Sequence, residues 1–186
     1  MRRTFIAVRV EAGEKLKDAI SLLKSELKDE NIRWVELSNM HITLAFIGST
    51  GEPVIKNVCS MLKDDFAGFG DIEFNLSGLG VFGNISAPRI LYAGIENCER
   101  LAAAQEIVKN GLKSLGVNLE ERQFKPHLTI GKIKDIRDKS ILPWMIQKYS
   151  GAILQTVNVS EVIYYESVLL PTGPLYKPLA NSVLSK

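Results

Sequence analysis

His41-Ile42-Thr43-Leu44-Ala45-Phe46-Ile47 and, 86 residues downstream, His127-Leu128-Thr129-Ile130-Gly131-Lys132-Ile133 follow one pattern. Each opens His-x-Thr-apolar, and the chain contains no other histidine. Threonine occurs six times in 186 positions, so both histidines would carry Thr two places later by chance only roughly once in a thousand. Strand geometry gives the spacing a meaning, because side chains at i and i+2 share a face. Each threonine hydroxyl then stands beside its histidine, while Ile42, Leu44, Leu128 and Ile130 turn toward a core.

The repetition extends outward from these segments. Thr4–Val10 reads as a strand, and Glu11–Lys28 as a helix with Leu16, Ala19, Ile20, Leu23 and Leu27 on one stripe. In the second half, Arg89–Ile95 reads as a strand. Asn97 is the expected N-cap of a helix with the stripe Leu101, Ala104, Val108, Leu112 and Leu115, and Gly116 is placed to end it. Ala7 and Ala93 keep the same 86-residue offset as the two histidines. A strand–helix–strand unit used twice predicts a single bilobal domain over 1–186, with copies starting near residues 4 and 90. Between the copies lie a helix opened by Pro53 and strands around 72–76 and 79–82. After the second come a short helix around 140–149 and a β-rich end over 153–170. Helices and strands without regular βαβ alternation predict an α+β fold, two pseudo-twofold lobes with antiparallel sheets around a central cleft.

Composition narrows the class. With 46% hydrophobic and 24% charged residues the chain is an ordinary globular one, not a disordered one. No apolar run approaches the ~18 residues of a spanning helix, so no membrane partner is expected. The apolar stretch Phe5–Val8 is too short for the core of a signal peptide. Cys59 and Cys98 lack CxxC spacing, which predicts free thiols in a reducing cytoplasm and neither a zinc site nor a disulfide framework. Net charge is only +2, yet residues 122–139 hold six Lys and Arg against two Asp, whereas 1–121 hold 14 against 17 acidic residues. Such a block is either a solvated face or a seat for phosphate or a nucleic-acid backbone.

Two imidazoles and two hydroxyls in one cleft suit in-line displacement at phosphorus. One neutral histidine takes a proton from the attacking oxygen, and the other, protonated, gives one to the leaving oxygen. An unperturbed pKa near 6.5 lets either form exist around neutrality. The threonines can donate to non-bridging phosphate oxygens as charge builds there. Two histidines without a carboxylate or cysteine cluster make a poor metal site, so neither metal nor cofactor is expected.

These residues resemble the 2H phosphoesterase superfamily and, more narrowly, its RNA 2′,3′-cyclic phosphodiesterases, the group long called 2′-5′ RNA ligases. The resemblance takes in the Arg3-Thr-Phe-Ile-Ala-Val8 strand, Trp34 seven residues before His41, and His41–Gly48. It continues through Leu79-Gly-Val-Phe-Gly83, Pro88-Arg89, Phe124-Lys-Pro-His127 and Tyr165-Glu-Ser-Val-Leu169 with Gly173 and Tyr176. It implies the bilobal LigT-like fold and the opening of a terminal 2′,3′-cyclic phosphate to a 2′-phosphate. It also implies His41 as proton donor and His127 as proton acceptor, beside Thr43 and Thr129.

Many relatives carry Arg where this chain has Lys132, five residues after the second motif histidine. Lysine keeps the charge but loses the bidentate fork. Strict alternation would also turn Lys132 away from His127, so a twist or bulge is needed to bring it to phosphate. Trp34 and Phe124 are candidates for stacking on a base, with core or cleft wall as their other roles. Tyr165 and Ser167 are substrate-binding candidates through the resemblance alone. The expected partners are RNA ends or small cyclic nucleotides, with no obligate protein partner implied. The same site run backwards is an ATP-independent 2′-5′ RNA ligase, and a small cyclic-nucleotide phosphodiesterase and a non-catalytic RNA- or nucleotide-binding module remain alternatives.

Overall fold

Alternating apolar positions become strands and the three- and four-residue stripes become helices in the computed structural model, which describes residues 1–84, 87–119 and 123–184. The first half contains β1 (Arg2–Arg9), α1 (Glu14–Glu26), β2 (Asn31–Trp34), a 3-10 turn at Leu37–Asn39, β3 (His41–Thr50) and α2 (Glu52–Asp65). β4 (Ile72–Asn84) and β5 (Ala87–Glu96) lead to α3 (Glu99–Ser114), β6 (Leu128–Asp135) and α4 (Ile141–Lys148). The chain closes with β7 (Ile153–Val159), β8 (Glu161–Leu170) and β9 (Gly173–Val183).

The strands form a four-stranded sheet, β3-β1-β8-β9, and a five-stranded sheet, β2-β6-β5-β4-β7. Every paired neighbour is antiparallel, so the fold is α+β with two antiparallel sheets. The helices bury their stripes as expected, Leu16, Ala19, Ile20 and Leu23 on α1 and Leu101, Ala104, Val108 and Leu112 on α3. They also tie the sheets together. α1 follows a strand of the four-stranded sheet yet packs on β7 of the five-stranded one, while α3 packs on β3, β4 and α2. One apolar core therefore runs through both halves of the chain. Among the described residues no helix is long and apolar enough to cross a membrane.

Several boundaries differ from the sequence reading. β3 does not stop at Gly48 but runs on to Thr50, with Gly48 at a positive φ of 84°. The two segments expected at 72–76 and 79–82 are one strand, β4, irregular between Ser77 and Leu79. Asn97 is not the cap of α3: it sits in the left-handed region at φ 54°, and Cys98 holds the N-cap position. β2 and β9 were not expected at all.

The irregularities in β3 and β6 control which side chains reach the cleft. In the β1–β3 pairing Ala7 lies opposite Thr43 and Ile6 opposite Ala45, so Leu44 is an extra residue. In the β5–β6 pairing Tyr92 lies opposite Thr129 and Leu91 opposite Gly131, so Ile130 is the extra one. A bulge of this kind reverses the facing of the residues that directly follow it. Leu44 and Ala45 are consecutively buried, as are Ile130 and Gly131, and Phe46 and Lys132 then emerge on the face that carries the motif histidine and threonine.

Gly131 also fixes the edge strand. A Cβ there would lie 2.8 Å from Ile32 Cγ2 and 3.4 Å from the Trp34 ring, so only glycine lets β2 close on β6. Gly131→Ala is expected to cost about 1–3 kcal/mol by overpacking. The check is a lower urea midpoint at unchanged m-value, and an unchanged midpoint would show that the seam has slack.

Candidate active site

The two motif histidines are held in the same way. His41 Nδ1 lies 2.7 Å from the carbonyl oxygen of Asn39, and His127 Nδ1 lies 2.8 Å from that of Lys125. A carbonyl can only accept, so each Nδ1 carries the proton and each Nε2 is left free for chemistry. Neutral, Nε2 is a base; protonated, it is an acid. The Asn39 carbonyl is itself anchored, because the Asn39 side-chain amide donates to the Pro174 carbonyl at 3.1 Å. The β8–β9 hairpin thereby holds the loop that orients His41.

The surroundings differ. His41 rests on an aromatic floor, with the Phe5 ring 5.1 Å and the Tyr176 ring 5.1 Å away. Tyr165 stacks on Phe5 at 5.2 Å, and Phe5, Ala7, Ile163 and Tyr165 form a small buried cluster separate from the main core. Burial on this floor pushes the His41 imidazole below its usual range, against the Asn39 hydrogen bond, which raises it; the nearby charges of Lys132 and His127 push it further down. His127 has Phe82 edge-on at 4.7 Å and Tyr92 at 5.6 Å. Tyr92 stacks on Phe82 at 4.4 Å and lies flat across Gly80, where an added Cβ would come within 2.5 Å of its ring. Glycine is what allows that aromatic pair to support His127.

Thr43 and Thr129 are half-buried on the histidine face, while Ile42, Leu44, Leu128 and Ile130 are buried behind them. Lys132 is exposed on the same face, opposite Ile90, which in turn pairs with Phe82. Its charge reaches His41 on the other sheet. Tyr165 and Ser167 share the groove face of β8, opposite Pro178 and Tyr176 of β9. A cavity of about 240 Å³ beside His41 is lined by Arg9, Asn39, Tyr165, Tyr176 and Pro178 among others.

Trp34 is not brought to this face. It lies opposite Gly131, packed against the main core, because the bulge turns Gly131 inward. Phe124 is half-buried and also packs on that core. Arg122, at the start of the basic block, lies outside the described residues. Among the described residues no three His, Cys, Asp or Glu side chains gather as a metal site would require. The sequence reading missed Arg9, which lies opposite His41, and Arg33, which lies opposite Lys132. Strand register was the signal that would have found them.

Comparison with known proteins agrees with this architecture. The LigT-like phosphoesterase family model matches residues 6–92 and 94–176. The chain is 35% identical over 179 residues to the RNA 2′,3′-cyclic phosphodiesterase of Thermotoga maritima, covering 95% of this chain and 92% of that one. It is 33% identical over 181 residues to the enzyme of that name from Methanothermobacter thermautotrophicus, covering 94% of each. Among solved structures, Thermus thermophilus TT0787 matches with a TM-score of 0.80 at 22% identity, over 98% of this chain and 97% of that one. Escherichia coli LigT complexed with 3′-AMP matches with a TM-score of 0.78 at 19% identity, over 100% and 99%.

The coupling between Lys132 and His41 is measurable. Lys132→Met removes a positive charge that opposes protonation of the imidazole, so the His41 titration followed by NMR is expected to move to higher pH. An unmoved midpoint would place the ammonium too far from His41 to act on it.

Proposed function

The chain belongs to the LigT-like phosphoesterase family, and on that footing we propose that it is an RNA 2′,3′-cyclic phosphodiesterase acting by metal-independent acid–base catalysis. The observation that carries the reading is the matched pair of imidazoles, each with Nδ1–H tied to a carbonyl two residues earlier and Nε2 left for chemistry. In this reaction neutral His127 takes a proton from water as its oxygen attacks phosphorus. The P–O3′ bond breaks, and His41 Nε2–H protonates the departing 3′-oxygen, leaving a 2′-phosphate. Thr43 and Thr129 donate to the non-bridging oxygens, where negative charge grows.

The lowered pKa of His41 supports its role as the acid. A more acidic imidazolium gives its proton more readily to an alkoxide leaving group. The cost is a smaller protonated fraction in the free protein at neutral pH. An anionic phosphate in the groove offsets the repulsion from Lys132 and His127 and restores the proton on binding. The internal duplication belongs to the same proposal, supported by equivalent bulges after the two motif threonines. So does a cytoplasmic setting, in which Cys59 and Cys98 remain thiols.

The test is an oligonucleotide ending in a 2′,3′-cyclic phosphate, incubated with protein and excess EDTA. Conversion to a 2′-phosphate end is expected, with a bell-shaped pH profile. The acidic limb falls as the base becomes protonated and the basic limb as the acid loses its proton. His41→Ala and His127→Ala should each lower kcat/KM by roughly 10²-fold or more. Near-normal turnover by either variant would remove the acid–base assignment, and loss in EDTA with recovery on added zinc would replace it with metal chemistry. Net joining to a 5′-hydroxyl end without ATP would identify a ligase.

A further inference from the structure

Arg33 lies directly opposite Lys132 in the β2–β6 pairing. Their neighbours fix the face they share: Trp34 opposite Gly131 and Ile32 opposite Ile133 all pack toward the main core. Arg33 and Lys132, at the alternate positions, therefore project into the groove, in line with Ile90 on β5 and Phe82 on β4, the ring that touches His127. Directly opposed residues of an antiparallel pair have Cβ atoms about 5 Å apart, and like charges in that position destabilise a sheet. Both side chains are exposed, and none of the ion pairs among the described residues involves either. Glu30, the nearby carboxylate on the approach to β2, accepts from the backbone N–H groups of Arg137 and Asp138 instead.

We propose that Arg33 is a substrate-positioning residue which, with Lys132, forms a two-strand clamp for the phosphate that His41 and His127 act on. The inference rests on the reading of the groove as a cyclic-phosphate site. Lysine at 132 offers a point charge and no fork; a guanidinium one strand away returns the planar, bidentate donor that a phosphate accepts. The ammonium reaches toward His41 from one side of the anion while the guanidinium orients its non-bridging oxygens from the edge strand. Gly131 is then part of the same device, since it sets the β2–β6 spacing that brings the two cations together.

The experiment compares Arg33→Gln, Arg33→Lys and Arg33→Gln with Lys132→Arg, using Lys24→Gln on the far side of α1 as a charge control. Three readouts are taken: kcat and KM on the cyclic-phosphate oligonucleotide, the thermal midpoint, and the shift of the His41 imidazole resonance on titration with inorganic phosphate. Arg33→Gln is expected to lower kcat/KM by about 10- to 100-fold, weaken phosphate binding, and leave the thermal midpoint unchanged or higher, since a like-charge pair is relieved. Arg33→Lys should recover only part of the loss. Lys132→Arg in the Arg33→Gln background should recover more of it, because the fork returns to the same patch. Lys24→Gln should match the parent protein. Wild-type kcat/KM and phosphate affinity in Arg33→Gln would overturn the clamp, as would a lowered thermal midpoint with turnover falling only in proportion to unfolded protein. If the parent protein does not turn over the oligonucleotide, the enzymatic reading fails by itself. The phosphate titration then decides the clamp: weaker binding in Arg33→Gln supports it and equal binding overturns it.

Discussion

The extra residue that directly follows each motif threonine governs this site. Without Leu44 and Ile130 as bulge residues, strict alternation would carry Phe46 and Lys132 to the core side. Burying an unpaired ammonium is far more costly than the local loss of ladder hydrogen bonds that a bulge entails. The apolar side chains enforce the same choice from the other direction. Leu128, Ile130 and Ile133 are all buried, and the last two are three apart, an odd spacing that a regular strand cannot place on one face. The bulge resolves that conflict, and presenting position 132 to the groove is its geometric consequence.

The two sides of the groove share this backbone device but not their chemistry. Five residues after its histidine, β3 presents Phe46, 69% exposed, where β6 presents Lys132. Beneath His41 the sheet is aromatic and nearly dry, so burial is the main cause that holds its pKa down. Around His127 the support is a Tyr92–Phe82 stack laid over Gly80. A duplicated motif cannot by its symmetry say which histidine gives the proton and which takes it. The two rings differ in what they rest on, and residues from β1, β8 and β9 supply that difference for His41, on which its proposed role as the acid draws.

Much of the fold was legible because its elements are long and strongly periodic. The stripes of α1 and α3 and the alternation around both motifs leave little freedom of interpretation. β2 was not legible, since four residues with Ile32 and Trp34 as the inward positions are too short to establish a period. β9 was hidden by Pro174 and Pro178, which argue against a central strand but are tolerated on an edge, the place β9 occupies. The motif histidines and threonines could be found from spacing alone, whereas Arg9 and Arg33 could not. Their placement depends on pairing with strands distant in sequence, and the same pairing decides for Trp34 between stacking on a base and packing on the core.

Register also changes how the charge of this protein should be understood. Along the chain, the cations crowd into 122–139, and that run invites a single basic patch. In the fold, the run is broken up. Lys132 faces the groove, whereas the Arg137–Asp138 turn is drawn to Glu30 by its backbone. The groove gathers its positive charge from elsewhere, with Arg9 of β1 beside His41 and Arg33 of β2 beside Lys132. The placing of these charges is therefore a property of cross-strand pairing, which the order of residues along the chain does not display. None of the ion pairs among the described residues involves Arg9, Arg33 or Lys132. Under the proposed function, an incoming phosphate meets these charges with no ion pair to break before they can engage it.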